Sequence, residues 1–206
     1  STSSAASDVY KRQCKNNAEI NGSRKAHLID GIALTKFIHW LENVVDGTKN
    51  NYTEISLARK LLNFRKRNKD FKGLSFGTIS SLGSNGAVIH YQPEKETDKE
   101  LSNNDIYLLD SGGQYKFGTT DVTRTILNKR DKKPKDFNEI SNNYTLVLKG
   151  HIAVATSHFK KGETGKNLDR KARKFLIKNG LNYDHGTGHG VGSYLGVHEG
   201  LSLIHI

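Results

Sequence analysis

The sequence predicts an α+β domain, on three observations. Apolar residues recur at helical spacing over several long stretches. The β-like segments are few, short and gathered around glycine-rich turns, not interleaved with the helices as a doubly wound parallel sheet requires. The chain has 206 residues, of which 34% are hydrophobic, so it is about one domain long and can bury a core.

The first helix is expected over 17–45, where Ile29, Ile32, Ala33, Phe37, Trp40, Leu41 and Val44 form one stripe. A second follows Thr53, with Ile55, Ala58, Leu61 and Leu62 inward and basic residues at its end. The stretch "GTISSLGSNGAVIHYQPE" is turn-rich, with Asn85-Gly86 as a hairpin signal leading into a β-like run from Ala87 to Tyr91. "DIYLLDSGGQYK" and "TTDVTRTIL" read as two strands joined by a glycine turn. Residues 137–158 return to helical spacing through Phe137, Ile140, Tyr144, Val147 and Leu148. A further helix covers "NLDRKARKFLIKNG", with Leu168, Ala172, Phe175 and Leu176 inward and Gly180 as its C-terminal cap. From Tyr183 the chain is glycine-rich and strand-like.

Composition excludes several classes. No apolar run approaches the ~20 residues of a membrane span. The net charge of +11 raises nucleic-acid binding, but the lysines are dispersed. The densest basic cluster, "RKRNK" at 65–69, closes a helix and lacks interleaved stacking aromatics, so no nucleic-acid partner is expected. Cys14 is the single cysteine, which rules out an internal disulfide and favours a reducing compartment. The chain contains no Met, so its natural amino terminus is expected upstream.

The chemistry concentrates in two segments. "LLDSGGQYKFGTTDVTRT" places Asp110 and Asp121 eleven residues apart around Gly112, Gly113 and Gly118. A hairpin brings such positions opposite or diagonal, roughly 5–8 Å apart. Two carboxylates that close repel unless a divalent cation lies between them. The plainer alternative is a turn cap at Asp110 and an exposed strand residue at Asp121. "HGTGHGVGSYLGVHEG" carries His185, His189 and His198 in a segment too glycine-rich for a helix, so the H-x-x-x-H spacing loses its helical meaning. His90 lies in the earlier β-like run. His27, His39, His151 and His158 fall in helical stretches and read as core or surface residues. No G-x-S-x-G elbow is present and Cys14 has no catalytic partner in sequence, so a Ser or Cys nucleophile is unsupported.

Taken together, "NAEINGSRKAH…DG", "AVIHYQP", "YLLDSGGQYKFGTTDVTRT", "LKGHIAV" and "YDHGTGHGVGSYLGVHEG" resemble the catalytic domain of the Xaa-Pro aminopeptidases (aminopeptidase P, peptidase family M24), most of all the eukaryotic cytosolic type. The resemblance spans about Cys14 to Gly200. It implies the pita-bread fold and a site for two divalent metal ions, Mn(2+) first, with Zn or Co as alternatives. It also implies hydrolysis of the bond before a proline in the second position of peptides by a metal-activated water, in the cytoplasm, with no membrane partner and with room for a homodimer of the full-length protein. Residue by residue, it makes Asp110, the bridging Asp121 and His189 metal ligands. It makes His90, His185 and His198 the substrate-contacting and proton-handling histidines.

Two further Glu ligands are expected beyond residue 206, and Glu199 is not a substitute for them. The family pattern breaks before Cys14 and after Gly200. Residues 1–13 and 201–206 are therefore expected to be non-native tails around a partial catalytic domain at 14–200, which by itself is expected to be inactive. The competing readings are a metal-free pita-bread binding module or another M24 member such as prolidase.

Overall fold

The structure is a computed structural model and describes residues 15–43, 51–102, 106–128, 134–158 and 163–199. The expected tails, Cys14 and Val44 lie outside the described residues. The chain divides into two compact units. Of the described residues, one holds those within 15–128 and 191–199, and the other those within 134–190.

In the larger unit, α1 runs from Asn17 to Asn43 and α2 from Glu54 to Arg65. Both start on reciprocal caps. Asn16 accepts from the Glu19 amide at 2.9 Å while Glu19 accepts from the Asn16 amide at 2.8 Å. Thr53 and Ser56 form the same box at the head of α2. The buried stripe of α1 is Gly22, Ala26, Asp30, Ala33, Leu34, Phe37, Trp40 and Leu41. It differs from the expected one: Ile32 is half exposed, and an aspartate sits in the apolar register. On α2 the buried residues are Glu54, Leu57, Leu61 and Arg65, so the stripe carries a charge at each end, and Ile55, Ala58 and Leu62 flank it.

Six strands complete this part of the unit: β1 (Phe71–Leu74), β2 (Ile79–Leu82), β3 (Ile106–Ser111), β4 (Gly113–Tyr115), β5 (Gly118–Thr119) and β6 (Val122–Leu127). They form two antiparallel sheets, ordered β2-β3-β6 and β1-β4-β5. Leu57 and Leu61 of α2, Phe37 and Leu41 of α1, and Leu82, Tyr107 and Leu109 of the first sheet make one core. Each such side chain contributes about 1.5–3 kcal/mol on burial.

Two expectations change here. The Asn85-Gly86 signal lies in a 3-10 helix, η1 (Gly83–Ala87), which also takes Ala87, and the rest of the expected run bends and turns at 88–90, so 87–91 holds no strand. Strands β1 and β2 were not expected at all. Among the described residues no helix is long and apolar enough to cross a membrane.

The smaller unit pairs α3 (Phe137–Ala155) with α4 (Gly165–Ile177). They meet at Gly150, where a Cβ would strike the Ala172 carbonyl oxygen. Gly180 adopts φ 71° and ends α4, as expected. The Leu181 amide bonds back to Leu176 O at 3.0 Å and the Gly180 amide to Ile177 O at 3.1 Å. The apolar face foreseen on α3 is not buried here: Tyr144, Val147 and Leu148 are exposed, and Leu146 and Gly150 are the buried pair. Of the inward residues foreseen on α4, Leu176 is buried and Leu168, Ala172 and Phe175 are half buried.

Candidate metal centre

Asp110 stands in the middle strand of its sheet, opposite Ile79 on one side and Thr123 on the other. The β3–β6 ladder ends at Ser111↔Val122 and resumes in the same register at Gln114↔Thr119, so the two pairings are one long interrupted hairpin. Its tip is Lys116-Phe117, between Tyr115 and Gly118, within one residue of the expected turn. Asp121 lies in the interruption, immediately before β6. Two residues from Thr123, it is the diagonal neighbour of Asp110, a relation that corresponds to roughly 7–8 Å along the sheet.

The interruption is braced. The Ser75 amide donates to Gly112 O at 3.1 Å and the Ser75 hydroxyl to Thr120 O at 2.8 Å. The Gly113 amide donates to the Thr120 hydroxyl at 2.8 Å, and the Thr120 amide to Gly113 O at 2.9 Å. Glycine is required at 112, because a Cβ there would collide with the Thr120 carbonyl and the Ser75 hydroxyl. Gly112→Ala is therefore expected to cost about 1–3 kcal/mol of stability by overpacking. Urea unfolding, read as a lower midpoint at constant slope, checks it.

Asp110 has one carboxylate oxygen, Oδ1, that is shut off from solvent and has no hydrogen-bond partner. A buried acceptor of this kind costs free energy unless a donor or a cation reaches it. Its chemistry, a hard carboxylate oxygen beside a second carboxylate, fits a divalent cation.

The residue next to Asp110 anchors the strand. Arg65 donates from Nη2 to the Ser111 hydroxyl at 3.0 Å. Its Nε and Nη2 also grip Asp30 at 2.7 and 2.9 Å. Tyr115 donates from its hydroxyl to Asp30 Oδ1 at 2.7 Å. Burial, then the adjacent Asp30 charge, pushes the Tyr115 phenol far above its ordinary range, so it stays a neutral donor. This network was not read from the sequence. Its signals were there: an aspartate in the apolar register of α1, and Arg65 four residues beyond Leu61 on the inner face of α2.

His90 sits in the turn after η1 with φ 56°, a left-handed conformation uncommon outside glycine that His adopts more readily than most residues. The residue after it is fixed: the buried Tyr91 donates from its hydroxyl to Glu54 Oε2 at 2.7 Å. Glu54 also accepts from the Leu82 amide at 2.6 Å and from the Asn85 side chain. His90 itself is exposed.

His198 is exposed in β8 (His198–Glu199), which pairs with β7 (Gly190–Val191). The loop before it is held to the larger unit, where the Leu195 amide donates to Gln114 Oε1 at 3.0 Å and the Ser193 hydroxyl to Glu19 at 3.2 Å. Glu199 pairs with Lys15 at 2.9 Å.

His185 and His189 belong to the smaller unit and are exposed in irregular backbone. Each ring sets Nδ1 at 2.8 Å from the carbonyl of the next glycine. That contact fixes Nδ1–H as the donor and leaves Nε2 the basic nitrogen in the neutral ring. The segment is clamped by Arg173, which donates to the Tyr183 carbonyl and, at 2.7 Å, to the His185 carbonyl. The Arg173 guanidinium lies 3.9 Å from the Tyr183 ring centre, and Tyr183 stacks on His185 at 4.7 Å. Asp169 orients Arg173 through Nε at 2.8 Å and accepts from the Thr187 hydroxyl.

Those bonds, Thr187 first and then Arg173, hold the Asp169 carboxyl below its ordinary range. A lowered folded-state pKa stabilises the clamp at pH above the unfolded value of about 3.9 and loses it as pH falls through the lower folded value. Amide exchange at 183–189 is thus expected to stay slow down to about pH 4 and to speed up below it, with Asp169→Asn abolishing the pH step.

Among the described residues no group of three His, Cys, Asp or Glu is drawn together as a metal cage. The larger unit contains Asp110 and Asp121, with His90 and His198; His185 and His189 are in the other. His158 follows α3 and is exposed, outside any helix.

The model of metallopeptidase family M24 matches residues 21–205. The chain belongs to metallopeptidase family M24. This M24 chain is 52% identical over 190 residues to a probable Xaa-Pro aminopeptidase P of Podospora anserina, covering 90% of this chain and 27% of that protein. It is 50% identical over 186 residues to the corresponding protein of Sordaria macrospora, covering 90% and 30%. Among solved structures it is similar to the X-prolyl aminopeptidase of Caenorhabditis elegans, a cytosolic enzyme with a dinuclear active site (TM-score 0.84, 44% identity, 93% of this chain and 31% of that one). It is also similar to the prolidase of Pyrococcus horikoshii (TM-score 0.75, 30% identity, 92% and 50%). The M24 chain therefore has the pita-bread α+β fold and spans less than a third of the length of these two curated relatives.

Proposed function

We propose that this chain is the metal-ligating portion, residues 14–200, of a Xaa-Pro aminopeptidase. The whole protein would remove the first residue from peptides with proline second. The observation that carries the reading is Asp110 Oδ1, a buried oxygen without a donor, diagonal to a second carboxylate in an M24 chain. Asp110, Asp121 and His189 are the proposed metal ligands, with Asp121 bridging and two glutamates supplied by sequence beyond residue 206. When bound, two divalent ions supply a water of lowered pKa and a Lewis acid for the scissile carbonyl. Carboxylate-rich ligation favours Mn(2+) over metals that prefer thiolate.

His90, His185 and His198 orient the substrate and carry protons. A neutral imidazole can accept a proton at Nε2 and donate it to the proline nitrogen as the bond breaks. The Nδ1 contact of His185 with Gly186 O supports this tautomer. Residues 1–13 and 201–206 are proposed to be foreign to this unit of function. The setting is proposed to be cytoplasmic, from the single cysteine and the cytosolic worm relative. A homodimer of the whole protein is compatible with this reading.

A metal-free binding role is less favoured, because it leaves Asp110 Oδ1 uncompensated. A peptide series decides the activity. The intact protein with manganese is expected to cleave Xaa-Pro-Yaa tripeptides and to spare Xaa-Ala-Yaa. A preference for Xaa-Pro dipeptides would assign it to the prolidases instead, and no cleavage of any of them would overturn the reading.

A further inference from the structure

We propose that Glu54, the first residue of α2, is a positioning residue for His90: its buried carboxylate holds both ends of the loop 85–91 on which that histidine stands. The inference rests on the substrate-orienting role proposed above for His90 and adds the group through which the fold sets it.

Glu54 is 0% exposed, and among the described residues it forms no salt bridge. A carboxylate taken out of water without a counter-ion is costly unless donors surround it. Oε1 accepts from the Leu82 amide at 2.6 Å and from the Asn85 side chain at 3.0 Å. Oε2 accepts from the Tyr91 hydroxyl at 2.7 Å, the Asn85 side chain at 3.1 Å and the Lys99 amide at 3.3 Å. These partners are all neutral donors, and a carboxylate offers them acceptors only. An apolar residue would fill this end of the buried stripe without the desolvation, so the acid serves something other than packing.

What the carboxylate gathers is one loop. Asn85 and Tyr91 stand at its two ends and also touch each other, Nδ2 to the hydroxyl, at 2.8 Å. Between them two successive turns are closed by the Val88 amide on Asn85 O at 3.1 Å and the Tyr91 amide on Val88 O at 3.2 Å. Val88, Ile89 and His90 are exposed between the tethered ends. The loop gains no core from these middle residues, so its order comes from the tethers. His90 holds a left-handed backbone, and the direction of its ring depends on the loop keeping that turn. The clamp also joins the loop to the sheet that carries Asp110. The Ser80 hydroxyl of β2 donates to Glu54 O at 2.7 Å, and Ile79 of the same strand pairs with Asp110.

Glu54→Gln keeps the shape but turns one acceptor into a donor, which then meets other donors. Two measurements on the intact protein test the role. In amide exchange, the Val88 and Tyr91 amides of this variant are expected to exchange about tenfold faster or more, with Leu109 of β3 affected less. In steady-state kinetics on a Xaa-Pro-Yaa peptide, Glu54→Gln should lower kcat/KM about tenfold or more alone, and less than about twofold on top of His90→Ala. A purely structural loss would appear in full in both backgrounds. Tyr91→Phe, which removes a single hydroxyl, should show the same pattern at about threefold, and it replaces the Gln variant if that does not fold. The positioning role is overturned by unchanged exchange at 88 and 91, by unchanged kcat/KM in Glu54→Gln, or by an equal loss in both backgrounds. No Xaa-Pro cleavage by the wild type, or a fully active His90→Ala, overturns the reading of His90 and this role together. An impaired His90→Ala with an additive Glu54→Gln overturns this role alone.

Discussion

Asp121→Asn in the intact protein is expected to lower kcat/KM on Xaa-Pro peptides about a thousandfold or more. His158→Ala should leave it within about twofold. The first figure follows from the several kcal/mol of charge stabilisation that a dinuclear site supplies, each 1.36 kcal/mol being about a factor of ten. Asp121, the proposed bridging ligand, sits in the break of the long hairpin, diagonal to Asp110. His158 is exposed after α3, so its loss is a surface change. Steady-state kinetics of the two variants in parallel is the measurement. Comparable losses would remove the ligand assignment, because a general effect on folding would not distinguish these positions.

Arg65→Met is expected to give the largest loss of stability, about 3–5 kcal/mol, by leaving Asp30 buried without its counter-charge. Both side chains are fully buried, and the pair also holds the Ser111 and Tyr115 hydroxyls. The loss should be partly recovered in the Asp30→Asn, Arg65→Met double variant, since removing both charges removes the uncompensated one. Arg65→Lys should not rescue, because an ammonium cannot grip Asp30 at two points and reach Ser111 as well. Guanidinium unfolding of the set reads all three. Additive losses in the double variant would show that the pair does not act as a unit.

The helices were legible because apolar residues recur at helical spacing in α1, α2, α3 and α4, although on α3 that face is exposed. Their inward faces were less so. Counting apolar residues put Ile32 inward and left out Asp30, since a sequence does not say which charge will find a buried partner. Asp30 and Arg65 are 35 residues apart and Tyr115 is 85 from Asp30, so their union is a product of tertiary structure.

The hairpin carrying Asp110 and Asp121 is legible in the sequence, and strands over 105–116 and 119–127 leave its turn within one residue of the Lys116-Phe117 tip. What is not legible there is the break in the ladder, where Gly112 serves a close approach to Thr120. His90 was placed in a strand because Val88, Ile89 and Tyr91 look β-like around it. In the fold only Tyr91 is buried, tied to Glu54, and the two aliphatics before His90 are exposed.

The metal-ligand assignment came from the family resemblance. Spacing alone left the turn-cap alternative open, and the unpartnered Asp110 oxygen now weighs against that alternative.

Metal content is the most direct measure of the central claim, that Asp110 and Asp121 hold a dinuclear site. Elemental analysis after exhaustive dialysis and reloading with manganese should find about two ions per polypeptide in the intact wild-type protein. In Asp110→Asn, where the carboxylate that carries the buried oxygen loses its charge, no more than about one should remain. Full occupancy in Asp110→Asn, or no bound metal in the wild type, would contradict the account.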